Sequence, residues 1–205
     1  GEQSHSKTYS ATAIGIAYTQ GKLSLDERLI DIFPEEAPEN PSERLKKLTI
    51  RNVLCMGSGM REEPKASEHW IRDFLSMPVV DEPGTAFMYN TTGSSMLAAI
   101  VKKKTGMGMH EFLMENLYRK IGIDGANHKW VRTSDGIETG GAGLFATLED
   151  NFRLMKLYMN GGVWNGERIL AEDFVRAAIS KQIDTASEAK VNPPATDNFL
   201  GYGYQ

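Results

Sequence analysis

A run of small and apolar residues near the start of the sequence constrains the fold more than any other stretch. It extends from Thr8 to Ala17, and Gly21 follows soon after and offers a stop for a helix. The run carries no charge, which predicts a helix that lies in the core of the protein. The N-terminus of this helix, and with it the segment from Ser4 to Lys7, is therefore expected inside the molecule.

The segment Ser4-His5-Ser6-Lys7 places a hydroxyl and an amine three residues apart. If the helix begins near Ser4, the two side chains share one face about one turn apart. Free backbone N–H groups and the positive end of the helix dipole lie beside Ser4. An amine that burial keeps partly neutral can take the hydroxyl proton. The pattern predicts Ser4 as a nucleophile and Lys7 as its base; the alternative is an N-cap serine followed by a solvated lysine.

Several segments resemble one known family, the serine β-lactamase and penicillin-binding protein superfamily. The first, SHSKTYSATAIGIAYTQGKLSLDERLIDIFP, is similar to the nucleophile helix of that family. LTIRNVLCMGSGM, EPGTAFMYNTTGSSMLAAIVKKKTG and GGAGLFATLEDNFRLMKLYMNGGVWNGERIL follow in the family's order. The resemblance extends from Ser4 to Tyr204 and is closest to the class C β-lactamase-like hydrolases and esterases.

The resemblance implies a third site residue. In the family, a Pro-Gly turn leads to a tyrosine ahead of a core helix, and Tyr89 stands at that place. A phenol has a pKa near 10, and a neighbouring ammonium lowers it enough for the phenol to share in proton transfer. The alternative has Tyr89 packed under the helix. The family's motif is Tyr-x-Asn or Tyr-x-Ser, and the corresponding residues here are Tyr89-Asn90-Thr91. The resemblance implies that Asn90 and Thr91 bind substrate. Because Thr91 keeps a hydroxyl but lacks the amide, an esterase- or peptidase-like site is favoured over a true β-lactamase site.

The resemblance also implies the fold, an α+β architecture of the β-lactamase/transpeptidase type, with residues 1–205 as a single domain. In such folds, strands precede the Ser-x-x-Lys motif and others follow the point where this sequence stops. We therefore expect mainly the helical lobe, truncated at both ends, with most of the antiparallel sheet missing. Helices that lack their sheet expose apolar faces, which predicts self-association through that face.

The chemistry implied by the resemblance is acyl transfer by a serine hydrolase without a cofactor. Ser4 would attack an ester, amide or peptide carbonyl, with a β-lactam also possible as substrate, and water would hydrolyse the acyl-enzyme. The oxyanion would be bound by the backbone N–H of Ser4 and by a second N–H from a missing strand. The alternative is a non-catalytic β-lactamase-like module that binds a peptide or a cell-wall ligand, or an inert fragment.

The sequence predicts the helices in some detail. A capping box at Ser24 starts a helix that Pro34 stops, and Thr49 and Thr147 cap two further helices. Further helices are expected over 68–76, 92–104, 110–119 and 171–180, a strand around Trp130-Val131, and a polar loop over 184–198. Lys104-Thr105-Gly106 spells the family's Lys-Thr-Gly signature, but it ends a predicted helix and is interpreted as a helix stop.

Composition excludes several classes of function. A net charge of −4 without a Lys/Arg stripe argues against a nucleic-acid partner. There is no run of eighteen apolar residues, so no membrane segment is expected. The four histidines lack metal-ligand spacing with acids or with the cysteine, so no metal site is expected either. Cys55 is the single cysteine, which leaves a periplasmic, extracellular or cytoplasmic location in a bacterium open. The absence of a Gly-x-Ser-x-Gly motif argues against an α/β-hydrolase.

Overall fold

The computed structural model describes residues 1–125, 128–185 and 201–205. Helices account for most of the regular structure. In chain order they are α1 Ser6–Thr19, α2 Leu29–Ile32, α3 Ile50–Leu54, α4 Trp70–Ser76, α5 Thr91–Thr105, α6 Met109–Leu113, α7 Arg119–Ile121, α8 Leu148–Met159 and α9 Glu172–Ala178, with a short 3₁₀ turn at Leu45–Lys47 and a π-helical turn at Met114–Tyr118.

The strands that the structure describes are short and form two antiparallel pairs. Strand β1 (Lys129–Trp130) pairs with β2 (Leu144–Phe145), with Trp130 opposite Leu144. Strand β3 (Val163–Trp164) pairs with β4 (Glu167–Arg168) in a hairpin. The architecture is therefore a helical lobe with little sheet, as the sequence predicts.

Helix α1 is the centre of the core. Almost every side chain from Ser6 to Ala17 is buried, and α1 packs chiefly along α5, which also contacts α3 and α6. The C-terminal half of α1 also lies close to α9. A Cβ atom at Gly15 would come within 2.4 Å of the Phe174 ring and 2.8 Å of Leu170, so this approach requires a glycine. The prediction that the apolar run forms a core helix is confirmed.

Two helices begin later than the sequence predicts. Helix α1 starts at Ser6, and Ser4 lies in the preceding turn, where its carbonyl accepts a hydrogen bond from the Lys7 backbone N–H at 3.0 Å. Helix α2 starts at Leu29. The Ser24 N–H bonds the Glu27 carboxylate at 2.8 Å, which is half of a capping box, but Arg28 then forms an extended bridge to Thr49. Pairing with a distant segment overrides the local helix signal there.

The other capping predictions are confirmed. Thr49 caps α3 in a reciprocal box with Asn52, and Thr147 caps α8 in the same way with Asp150. Helix α5 ends at Thr105 with Gly106 in the left-handed conformation at φ 75°, so the Lys-Thr-Gly triplet is a helix stop. A left-handed residue without a Cβ penalty is the usual end of a helix.

The second half of the chain contains two features that the sequence analysis did not predict. The helix expected over 110–119 is interrupted by the π-helical turn, so it consists of α6, this turn and α7. The β3–β4 hairpin turns through Asn165 and Gly166 at φ 47° and 82°, the pair that a type I′ turn favours. The expected strand lies one residue earlier, at Lys129–Trp130. The expected loop over 184–198 falls mainly outside the described residues. In the parts of the chain that are described, no helix has the length and apolar character needed to span a membrane.

Candidate active site

The amine of Lys7 is the point at which the predicted site residues meet. Its side chain enters the molecule from the first turn of α1, and Lys7 is only 2% exposed. The Nζ atom donates to Ser4 Oγ at 3.4 Å and lies 4.7 Å from the centroid of the Tyr89 ring. The interpretation of Lys7 as a solvated lysine is therefore wrong. The structure brings Ser4 and Tyr89 to the same buried amine.

Ser4 itself is exposed and lies at the open end of this arrangement. Its backbone N–H donates to no acceptor within the described residues, whereas the N–H groups of Ser6 and Lys7 are engaged in the first turn. A free N–H beside a nucleophilic hydroxyl is the kind of donor that an oxyanion requires. His5, the next residue, turns its ring edge-on to Tyr9 at 6.0 Å.

The closest partner of the Lys7 amine is a backbone carbonyl. Nζ donates to the Gly141 oxygen at 2.7 Å, and the Ser10 hydroxyl, one turn further along α1, donates to the Gly140 oxygen at 2.6 Å. The Gly140-Gly141 pair lies between α1 and α5: a Cβ at Gly140 would come within 2.3 Å of the Ser94 carbonyl. The sequence does not indicate that Gly141 supplies the acceptor that orients Lys7.

Asn90 and Thr91 lie at the N-terminus of α5. Asn90 is buried, and its side-chain oxygen accepts the Gly93 N–H at 2.7 Å, so this amide caps α5. Thr91 is half-buried, and its methyl group faces Gly141. Substrate binding by these two residues stays a prediction.

Glu63 is a neighbour of this region that sequence reasoning missed. Its carboxylate accepts the N–H groups of Thr91 and Thr92 at 2.9 and 2.7 Å and the Thr92 hydroxyl at 2.8 Å. A carboxylate at the first turn of a helix satisfies unpaired N–H groups and complements the dipole. Glu63 therefore links the loop before α4 to the N-terminus of α5, which follows Tyr89 directly in the chain.

A buried polar cluster on the other side of α1 fixes the helix against α8. The Tyr9 hydroxyl donates to the Asn151 side chain at 2.9 Å, and His128 Nε2 lies 2.9 Å from an Asp150 carboxylate oxygen. Burial, together with the nearby charges of Asp150 and Glu2, raises the pKa of Tyr9 well above its ordinary value. Tyr9 thus stays a neutral hydroxyl that can donate this bond at any physiological pH.

Within residues 1–125, 128–185 and 201–205, no three His, Cys, Asp or Glu side chains are grouped so that they could hold a metal. The amine donates to the Ser4 hydroxyl and to the Gly141 carbonyl, and it lies over the face of the Tyr89 ring. Proton transfer between the Ser4 hydroxyl and the Lys7 amine stays a prediction.

Comparisons with known proteins identify the family of the chain. Residues 3–205 match the profile of the family described as "Beta-lactamase". The chain is 22% identical over 232 residues to an Escherichia coli (strain K12) protein named "Putative D-alanyl-D-alanine carboxypeptidase", a match covering 84% of this chain and 53% of that protein. The chain therefore spans about half the length of this curated relative.

Solved structures share the fold at low sequence identity. The octameric penicillin-binding protein homologue from Pyrococcus abyssi superposes with a TM-score of 0.74 at 19% identity, over 100% of this chain and 52% of that one. EstCE1, described as a hydrolase with promiscuous acyltransferase activity, superposes with a TM-score of 0.73 at 16% identity, over 99% of this chain and 67% of that one. The predicted β-lactamase/transpeptidase-like fold is confirmed, and so is the resemblance to this superfamily.

Proposed function

Because this chain belongs to the β-lactamase family, we propose that it is a class C-like serine hydrolase in which Ser4 forms an acyl-enzyme. The observation that carries the proposal is the buried Lys7 amine, 3.4 Å from the Ser4 hydroxyl and 4.7 Å from the Tyr89 ring centroid. A hydroxyl is a weak nucleophile unless a base takes its proton. Lys7 is the group placed to do so.

The proposed reaction has two steps. In acylation, Ser4 Oγ attacks the substrate carbonyl carbon, its proton passes to the Lys7–Tyr89 pair, and the protonated leaving group departs. In deacylation, water attacks the ester, the acid is released and Ser4 Oγ regains a proton. The Gly141 carbonyl holds the amine in line throughout, and the unengaged N–H of Ser4 is one oxyanion donor. Thr91 in place of the motif's amide supports an ester, amide or peptide substrate.

Labelling with a fluorophosphonate probe tests the proposal directly. Attack of Ser4 Oγ on phosphorus would form an O–P bond and release fluoride, so intact mass should rise by one phosphonyl group that peptide mapping assigns to Ser4. Heat-denatured protein and the Ser4→Ala variant should remain unlabelled. A fluorescent penicillin that binds reversibly, with no gain in mass from either reagent, would instead support the non-catalytic binding module and contradict the hydrolase.

We further infer that the chain self-associates through one face of α8. Leu148, Phe152, Met155 and Met159 recur at helical spacing along this face, and each is more than half exposed. A continuous apolar stripe of this kind usually marks an interface, and the penicillin-binding protein homologue from Pyrococcus abyssi is octameric. A second copy of the chain is the proposed occupant.

Light scattering after size exclusion measures this association. Phe152→Glu should convert the assembly to a monomer, because a charge on the stripe cannot be buried without a partner. Lys103→Glu, at an exposed polar position on α5, should leave the assembly unchanged. A monomeric parent chain, or an assembly that survives Phe152→Glu, contradicts the inference.

A further inference from the structure

We propose that Met56 is a positioning residue for Tyr89, an inference that rests on the proposed function. Met56 lies just after α3, more than thirty residues before Tyr89 in the sequence. Its carbonyl oxygen accepts the Met88 N–H at 2.9 Å, and its Sδ atom accepts the Asn90 N–H at 3.2 Å. Met56 therefore accepts hydrogen bonds from the backbone N–H groups of both residues that flank Tyr89. We call this pair of hydrogen bonds the Met56 clamp.

The Met56 clamp holds a backbone segment that belongs to no helix or strand. Tyr89 lies in an irregular segment between a turn and α5, and it is 40% exposed. A helix or strand would fix its backbone through a ladder of hydrogen bonds, but here the flanking amides bond a single distant residue. Gly84, at the start of the segment, is held in the same way, since its N–H bonds the Gly57 carbonyl at 2.7 Å. The Met56-Gly57 pair therefore fixes both ends of the segment that carries Tyr89.

The backbone conformation of Met56 is consistent with this role. Its φ angle is 60°, in the left-handed region that residues with a Cβ seldom adopt, although the side chain is almost fully buried. Such a conformation persists only where surrounding contacts impose it, and it is concentrated at functional sites. Here it directs both the carbonyl and the thioether of Met56 towards the Tyr89 segment.

Positioning matters because proton transfer depends on sub-ångström geometry. The Tyr89 ring must stay beside the Lys7 amine, 4.7 Å from the ring centroid, while a substrate reacts at Ser4. Met56→Leu keeps an apolar side chain of similar size and the same backbone but removes the sulfur acceptor. The buried Asn90 N–H then loses its partner. Displacing a reacting group by about 1 Å costs roughly 100-fold in rate, so we expect Met56→Leu to slow acylation about 10-fold or more.

A double-mutant cycle separates positioning from general destabilisation. If Met56 acts through the Tyr89 hydroxyl, Met56→Leu should have almost no further effect on acylation in a Tyr89→Phe background. The control variant Met109→Leu, at a fully buried methionine of α6, should leave the acylation rate within about 2-fold of wild type, since a volume-conserving core swap is tolerated. Equal losses from Met56→Leu in both backgrounds, or no loss in either, overturn the proposal.

A rescue variant and a second readout keep the test independent of catalysis. Met56→Asn places an oxygen acceptor the same number of bonds from Cα as Sδ, in a residue that tolerates positive φ. Hydrogen exchange of the Asn90 backbone N–H should accelerate roughly 10-fold in Met56→Leu and return towards the wild-type rate in Met56→Asn. Unchanged exchange in Met56→Leu refutes the clamp. Altered exchange in a chain that no probe acylates retains the clamp and rejects only the proposed function.

Discussion

Replacing Lys7 with methionine is expected to slow acylation of Ser4 by roughly 100- to 10,000-fold, the range that a positioned proton-transfer group supplies. Methionine fills a similar volume and carries no charge, so it fits the buried position of Lys7. It cannot accept the Ser4 proton, and it removes the donor that lies 2.7 Å from the Gly141 carbonyl. The measurement is the rate of covalent labelling by a fluorophosphonate, followed by intact mass.

The effect of Lys7→Met on folding should be much smaller than its effect on acylation. An unpaired Gly141 carbonyl costs about 1–3 kcal/mol if water cannot reach it, and denaturant titration would detect this as a lower midpoint. The matched control is Lys22→Met, at an exposed lysine just beyond α1, which should affect neither quantity. Wild-type labelling in folded Lys7→Met protein would mean that another base activates Ser4.

Replacing Tyr89 with phenylalanine is expected to slow acylation by about 100-fold or more, because it removes the phenol and nothing else. The aromatic ring stays in place beside the Lys7 amine, so the contact between the amine and the ring face is retained. The variant thus separates proton transfer by the hydroxyl from packing by the ring. The labelling rate of Tyr89→Phe, followed by intact mass beside that of the wild type, checks this prediction.

The control for Tyr89→Phe is Tyr18→Phe, near the opposite end of α1. The Tyr18 hydroxyl donates to the Asp173 carboxylate at 2.6 Å on the surface, so its loss should leave the labelling rate unchanged. If Tyr89→Phe labels as fast as the wild type, Tyr89 contributes only packing beneath α5. That result would leave Lys7 as the sole proton acceptor for Ser4.

The local parts of the fold followed from the sequence because they depend on neighbours three or four residues apart. The Ser4–Lys7 spacing, the reciprocal caps at Thr49 and Thr147 and the glycine stop after α5 are interactions of this range. The capping signal at Ser24 did not start a helix because Arg28 pairs with the distant Thr49, so α2 begins only at Leu29. The β3–β4 hairpin has a local signal of its own, because Asn165-Gly166 is a pair typical of a two-residue turn.

The groups that orient the candidate site were decided only by the tertiary structure. The acceptor of the Lys7 amine lies 134 residues away at Gly141, the acceptor beside Tyr89 lies 34 residues from Asn90 at Met56, and the carboxylate at α5 lies 28 residues from Thr91 at Glu63. The acceptor at Gly141 is a backbone carbonyl, which any residue type possesses, so residue identity carries no signal for it. The sequence by itself determined which side chains are candidates for the chemistry, because their types and spacing are local features. The packing of α1 against α5 and against the Gly140-Gly141 loop determined that these side chains meet at one buried amine.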